Sequence, residues 1–168
     1  MIPVERNFLE IRDLKNLRFN ASKQNKFLIK KIKPDFQLNK FFYKQVGKKH
    51  RWIDRLSWTD KKWINFISNK NLETYVISES EDLIGFFELL YNPKLKETEI
   101  SYFGLLEEHI GKGIGGYALS EAIKKSFEKN IKRVWLHTCT LDHPNALKNY
   151  LARGMKVFRK ENINILDS

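Results

Sequence analysis

The sequence predicts a mixed α+β fold in which an antiparallel meander feeds one β–α–β unit, within a single domain over residues 1–168. Three observations carry this. Three β-rich runs sit together in the middle of the chain, over 72–78, 83–90 and 98–106; a glycine-rich turn, Ile110 to Gly116, follows the last of them; and an amphipathic stretch then leads to one more strand. Antiparallel strands can be joined by short turns, whereas parallel neighbours need a crossover, so the helix after the glycine turn marks where the sheet changes sense.

Each element follows from its local pattern. Phe8 to Ile11 reads as an extra N-terminal strand, and Phe27 to Ile32 as a short strand after a polar turn. Phe36, Phe41, Phe42, Gln45 and Val46 share one face of a helix that Gly47-Lys48-Lys49 breaks. A second helix begins near Thr59, where Trp63, Phe66 and Ile67 have i, i+3, i+4 spacing behind a Thr/Asp cap. Glu79 to Asp82, and a loop containing Asn92-Pro93, join the three strands of the meander. Gly113 to Asn130 is then a helix with Ile114, Ala118, Ala122 and Phe127 inward. Val134 to Thr140 alternates as a strand, Pro144 suits the first turn of a helix ending near Gly154, and Val157 to Ile163 is a last strand.

Composition narrows the function. A 168-residue chain with 42% hydrophobic residues can bury one core of ordinary domain size. There is no apolar run of membrane-spanning length and no signal-peptide core at Met1 to Arg6, so a cytoplasmic protein without a membrane role is expected. Cys139 is the single cysteine; it cannot form an internal disulfide, and with widely scattered histidines it builds no metal site. The net charge of +11 is blocky: +12 over residues 1–70, −7 over 71–110 and +6 over 111–168. Solvated lysine-rich surfaces account for much of it. The sharper reading is that the basic C-terminal part meets a polyanionic cofactor while the acidic middle faces a cationic substrate; nucleic acid is a possible but not a favoured partner.

The glycine turn is the most informative segment. Between a strand and a helix, free backbone N–H groups and the helix dipole favour a phosphate, and glycines let the backbone approach it. A Walker A loop would need Lys-Ser/Thr where Tyr117 and Ala118 follow Gly116. Gly111, Gly113 and Gly116 have dinucleotide GxGxxG spacing, but about a hundred residues of helix and antiparallel strand precede them, which is the wrong context for a doubly wound sheet.

The turn instead resembles the Q/R-x-x-G-x-G/A pattern of the GNAT superfamily of N-acetyltransferases, with Gly113 and Gly115 matching and Ile110 at the Gln/Arg position. From Glu99 to Gly115 the sequence is similar to the histone-acetyltransferase branch without a gap. Ala146, Tyr150 and Gly154 match A-x-x-x-Y-x-x-x-G-F, with Met155 in place of Phe, and His143 stands where that family often has Asn. Trp135 to Pro144 is similar to a run in an uncharacterised bacterial branch.

The resemblance implies a twisted, mostly antiparallel sheet that splays between a parallel fourth and fifth strand, with acetyl-CoA as co-substrate. It implies direct attack by a primary amine, from a small molecule or a protein, in a ternary complex. The pyrophosphate would sit on the amides of Ile110, Gly111, Lys112, Gly113, Ile114, Gly115 and Gly116, with Lys112 adding a point charge. The pantetheine would pair with Phe103, Gly104 and Leu105, with Gly104 keeping the approach uncrowded and His143 nearby. Glu99 would be the general base, Tyr150 the proton donor to the departing thiolate, and the Phe103 N–H an oxyanion donor. Trp52 and Arg55 would line the acceptor pocket, while Trp63 packs in the core. His137 and Cys139, on one strand face, read as a packed histidine and a small hydrophobe. A basic RNA- or ribosome-associated module on an inactive scaffold is the alternative. A dimer is compatible with this reading, which does not name the acceptor.

Overall fold

The computed structural model describes residues 1–166. Seven strands form one sheet: β1 (Ile2–Ile11), β2 (Leu28–Lys31), β3 (Leu72–Glu79), β4 (Asp82–Asn92), β5 (Glu97–Leu105), β6 (Arg133–Cys139) and β7 (Lys156–Ile165), in the spatial order β2-β3-β4-β5-β6-β1-β7. Only β5 and β6 run parallel; every other neighbouring pair is antiparallel. The helices are α1 (Phe36–Gly47), α2 (Asp60–Ile67), α3 (Ile114–Ser126) and α4 (Ala146–Ala152). The meander is β3-β4-β5, and α3 is the crossover between the parallel strands, as the sequence pattern predicts.

The N-terminal strand departs most from expectation. It begins at Ile2, not Phe8, and lies inside the sheet between β6 and β7, with Val4, Leu9 and Ile11 buried. Pro3, Glu5, Arg6 and Asn7 dilute the apolar alternation, so no local signal marks the first half; ladders on both sides hold it extended. The last strand therefore pairs with β1 and not with β6. Two helices are also shorter than their patterns suggest, α3 stopping at Ser126 and α4 starting at Ala146.

The caps follow their residue chemistry. The Asp35 side chain accepts from the Gln37 and Leu38 N–H groups at the start of α1, and Thr59 accepts from Lys62 N–H at the start of α2. Helix α3 buries Ile114, Ala118, Leu119, Ala122 and Ile123 against Ile77, Ile84, Phe87, Leu89, Ile100, Val134 and Leu136 on one face of the sheet. On the opposite face α1 sets Phe42 and Val46 against Val76 and Phe86, with the Phe42 and Phe86 rings stacked at 5.0 Å. Among the described residues, no helix is long and apolar enough to cross a membrane.

Two features of β5 prepare the site. Tyr102 pairs with Glu88 and Ile100 with Leu89, so Ser101 is an extra residue that bulges the strand. Pairing with β6 covers only Glu97 to Glu99, against Arg133 to Trp135, and the two strands part beyond that point.

Candidate active site

The parting of β5 and β6 leaves backbone groups without a ladder partner. Leu106 N–H bonds the Ile84 carbonyl on β4 at 2.8 Å. Amide direction alternates along a strand, so the N–H and C=O groups of Phe103 and Leu105 point the other way, toward the gap. A cavity of about 370 Å³ fills that gap, lined from β5, β6, the glycine turn and α4. Phe103, Gly104, Leu105, Ile110, Gly111, Gly113, Gly115, Gly116, His143, Trp52 and Tyr150 all contribute to its wall.

The glycine turn opens α3 with left-handed backbone at Gly111 (φ +81°) and Gly113 (φ +78°), conformations that favour glycine. Gly113 is the N-cap and has no side chain to satisfy the first-turn N–H groups of α3, so these donors stay available. No atom lies within 4 Å of where a Cβ on Gly111 would sit. At Gly116 that position would meet Arg153 Nη1 at 2.7 Å, and Arg153 Nε and Nη1 are buried without a hydrogen-bond partner among the described residues. Arg153 does not line the cavity, but the free amides and the helix dipole by themselves suit a diphosphate, so the residues present fit the anionic end of CoA.

Three expected site residues stand elsewhere. Lys112 is exposed and outside the cavity wall, and Ile114 is buried in the core at 1% exposure. Arg55 is no wall residue either. Its guanidinium is buried and bonds both oxygens of the fully buried Glu88 carboxylate, at 3.0 and 3.1 Å, within rings of Tyr43, Trp58, Trp63, Phe66 and Tyr102. Asn39 Nδ2 donates to the same carboxylate at 3.1 Å. An arginine enclosed this way neutralises a buried acid and cannot reach a ligand. Gly104 is corrected as well: a Cβ there would lie 2.3 Å from Val46 Cγ1, so the glycine admits α1 against the sheet.

Glu99 is the last β5 residue paired with β6, which sets it at the apex of the gap, half-buried and outside the cavity wall. Burial pushes its carboxyl above the ordinary glutamate range; Arg55 pulls it down and Glu88 pushes it up. Tyr150 is buried in the wall, and its hydroxyl has no hydrogen-bond partner among the described residues. Burial, reinforced by Asp142, raises its phenol so that it keeps its proton through the neutral range. Cys139 lines the cavity, but burial and Asp142 raise its thiol, which argues against a thiolate nucleophile.

Sequence reasoning missed Asp54, Tyr102 and Arg6, all in the cavity wall. The Asp54 carboxylate accepts from the Tyr43 hydroxyl at 2.9 Å and from the Tyr102 hydroxyl at 2.8 Å. The mixed aromatic and charged run Trp52 to Trp58 pointed to this corner. It lies in the connection between α1 and α2, without periodicity to say which of its charges faces the cavity. Arg6 carried no signal, because the strand that places it was not foreseen.

A sheet that splays between two parallel strands, with a glycine-rich helix start at the opening, defines the fold of the acyl-CoA N-acyltransferases. The chain belongs to the acetyltransferase (GNAT) family, whose model matches residues 34–155. No curated protein matches it. Among solved structures it is similar to a conserved protein of unknown function from Staphylococcus epidermidis, at 17% identity and TM-score 0.65, covering 96% of this chain and 60% of that one. A GCN5-related N-acetyltransferase from Sphaerobacter thermophilus is similar at 14% identity and TM-score 0.67, covering 94% of this chain and 49% of that one. An aminoglycoside acetyltransferase from an uncultured soil metagenomic sample is similar at 13% identity and TM-score 0.63, covering 79% of this chain and 90% of that one. The chain thus spans less than two thirds of the length of the first two, and at these identities the likeness concerns the fold. The comparisons lend no support to an RNA-binding module.

Proposed function

We propose that the protein is an acetyl-CoA-dependent N-acetyltransferase acting on a primary amine by direct attack in a ternary complex, its 168 residues working as one domain in the cytoplasm. The observation that carries this reading is the end of β5–β6 pairing at Glu99, with the cavity opening directly beyond it and the uncapped start of α3 at its rim.

Acetyl-CoA would supply an activated acetyl group as a thioester. The free amides of Gly111 to Gly116 hold its diphosphate, and the gap-facing backbone of Phe103 to Leu105 aligns its arm as an added strand would. An alkylammonium must lose a proton before it can attack. With a pKa near 10.4, the shortfall at pH 7 is about 3.4 units, or roughly 4 to 5 kcal/mol at about 1.36 kcal/mol per unit. Glu99 takes that proton, directly or through one water, and burial makes it a stronger base than an exposed glutamate. The Phe103 N–H faces the charge that develops on the carbonyl oxygen. Tyr150 donates to the departing sulfur as the C–S bond breaks. A phenol is a weaker acid than a thiol, so this transfer is concerted with cleavage; the nitrogen sheds its second proton through water to the phenolate, restoring Tyr150, and Glu99 releases the first proton to solvent. His143 and Trp52 complete the walls.

The test is purified protein with acetyl-CoA and a panel of amines, following free thiol. Turnover that falls about 10² to 10⁴-fold in Glu99→Gln and drops in Tyr150→Phe supports the reading. No turnover together with no CoA binding overturns it, and full activity of Glu99→Gln at every pH removes the base assignment alone.

A further inference from the structure

The cavity is lined from both faces of the sheet, and the two sides differ in chemistry. On the α3/α4 side stand the glycine turn, Asn149 and Tyr150. On the α1/α2 side stand Arg6, Trp52, Asp54, Tyr102 and His137. The strand alternation fixes this division. Leu9 and Ile11 belong to the core under α3, so Arg6 and Phe8 project from the other face, where the Phe8 ring lies 5.6 Å from the His137 ring. In register, Arg6 stands opposite Cys139 on β6.

On that side neither Asp54 nor Arg6 forms an ion pair among the described residues. Asp54 accepts only from the phenols of Tyr43 and Tyr102, and it pairs with no cation among the described residues. Arg6 pairs with no carboxylate among them, and its Nε is buried without a hydrogen bond. Burial holds the His137 imidazole below its ordinary range and Arg6 lowers it further, while Asp142 and, to a smaller extent, Asp54 raise it, so both Arg6 and Asp54 lie within electrostatic reach of the ring. The Trp52 and Tyr102 rings meet at 4.5 Å beside Asp54, a surface suited to the flank of an ammonium group. Asp54 is exposed and Arg6 half-buried, so water solvates both in the free protein, and one small ligand carrying both signs replaces that water while neutralising the two at once. A simple amine leaves Arg6 unanswered, and a polyamine brings a second cation toward it. The phosphates of CoA do not answer it either, because their cradle lies on the other side of the sheet.

We infer that the acceptor is zwitterionic, an amino acid whose ammonium group bonds Asp54 beside Trp52 and Tyr102 and whose carboxylate bonds Arg6. This rests on the acetyltransferase reading above and specifies its substrate. Arg6 comes from β1, outside the residues that match the family model, so the specificity is a property of this chain's own N-terminal strand.

The experiment compares matched acceptors, each L-amino acid against its carboxamide and against the amine left by removing its carboxylate, following free thiol with wild type, Arg6→Met and Arg6→Lys. Wild type should prefer the amino acid. Arg6→Met should raise its KM roughly 10- to 100-fold, the worth of a hydrogen bond to a charged group, while leaving the KM of the amine unchanged, and Arg6→Lys should restore part of the loss. Calorimetric titration of the best amino acid into protein saturated with CoA should show the same weakening without turnover, and thermal melting establishes that Arg6→Met is folded. Equal use of an amino acid and its carboxamide, an Arg6→Met effect equal for both, or no release with any amino acid overturns the inference while amine turnover leaves the acetyltransferase reading standing. If CoA itself fails to bind, it is that reading which falls.

Discussion

Replacing Arg55 by Met removes one half of a pair whose charges are both enclosed, Arg55 at 5% exposure and Glu88 at 0%. Two hydrogen bonds of 3.0 and 3.1 Å disappear, and Glu88 keeps only the 3.1 Å bond from Asn39. Breaking a buried pair from one side costs about 3 to 5 kcal/mol, because the remaining charge stays in a medium that cannot solvate it. In a protein of this size each kcal/mol moves the midpoint by about 2 to 4 °C, so Arg55→Met should melt roughly 6 to 20 °C below wild type. Thermal and urea unfolding by circular dichroism measure the loss. The double variant Arg55→Met/Glu88→Met should recover part of it, since the lone carboxylate is then gone. In the folded fraction, loss of the arginine also removes the group that pulls the Glu99 carboxyl down, so the acidic limb of the rate profile should move to higher pH. A loss below about 1 kcal/mol, or strict additivity of the two single variants, refutes the burial argument. An increase in acceptor KM at unchanged stability would make Arg55 a substrate residue after all.

Gly104→Ala should destabilise by about 1 to 3 kcal/mol, because its Cβ would fall 2.3 Å from Val46 Cγ1. In a Val46→Ala background, where the nearest remaining atom of residue 46 is Cβ at 3.6 Å, the same change should cost little, and urea titration of the four proteins decides. Glu99→Gln should stabilise the protein at neutral pH: the raised carboxyl imposes a penalty that is absent below the ordinary value of 4.5 and complete above its folded value, so the gain in melting temperature should fade as pH drops toward 4.5. A gain independent of pH would mean another cause. Deleting residues 1–11 removes the buried side chains of Val4, Leu9 and Ile11, worth about 1.5 to 3 kcal/mol each, together with two ladders. That is comparable with the whole stability of a domain, so the shortened chain should show no cooperative melt.

Much of the fold was legible because its signals are local. The meander, the glycine turn and the crossover helix each announce themselves within about fifteen residues, by alternation, glycine spacing and 3.6-residue periodicity. The position of β1 was not legible, since a strand with Pro3, Glu5, Arg6 and Asn7 in its first half is made by the ladders it enters. The cofactor side of the candidate site was readable for the same reason as the turn: backbone amides at a helix start do not depend on distant residues. The acceptor side was not. Arg55 and Asp54 are neighbours in sequence, and only the packing of α1, α2 and the sheet turns one inward to Glu88 and the other to the cavity. Gly104 shows the same limit, because the residue that demands it, Val46, lies far away in sequence.

The most direct test of the account is a crystal structure of the protein with CoA. The diphosphate should lie on the amides of Gly111 to Gly116, the pantetheine along the free edge of Phe103 to Leu105, and the sulfur between Glu99 and Tyr150. CoA bound away from the glycine turn, or a diphosphate held there with the arm outside the β5–β6 gap, would contradict it.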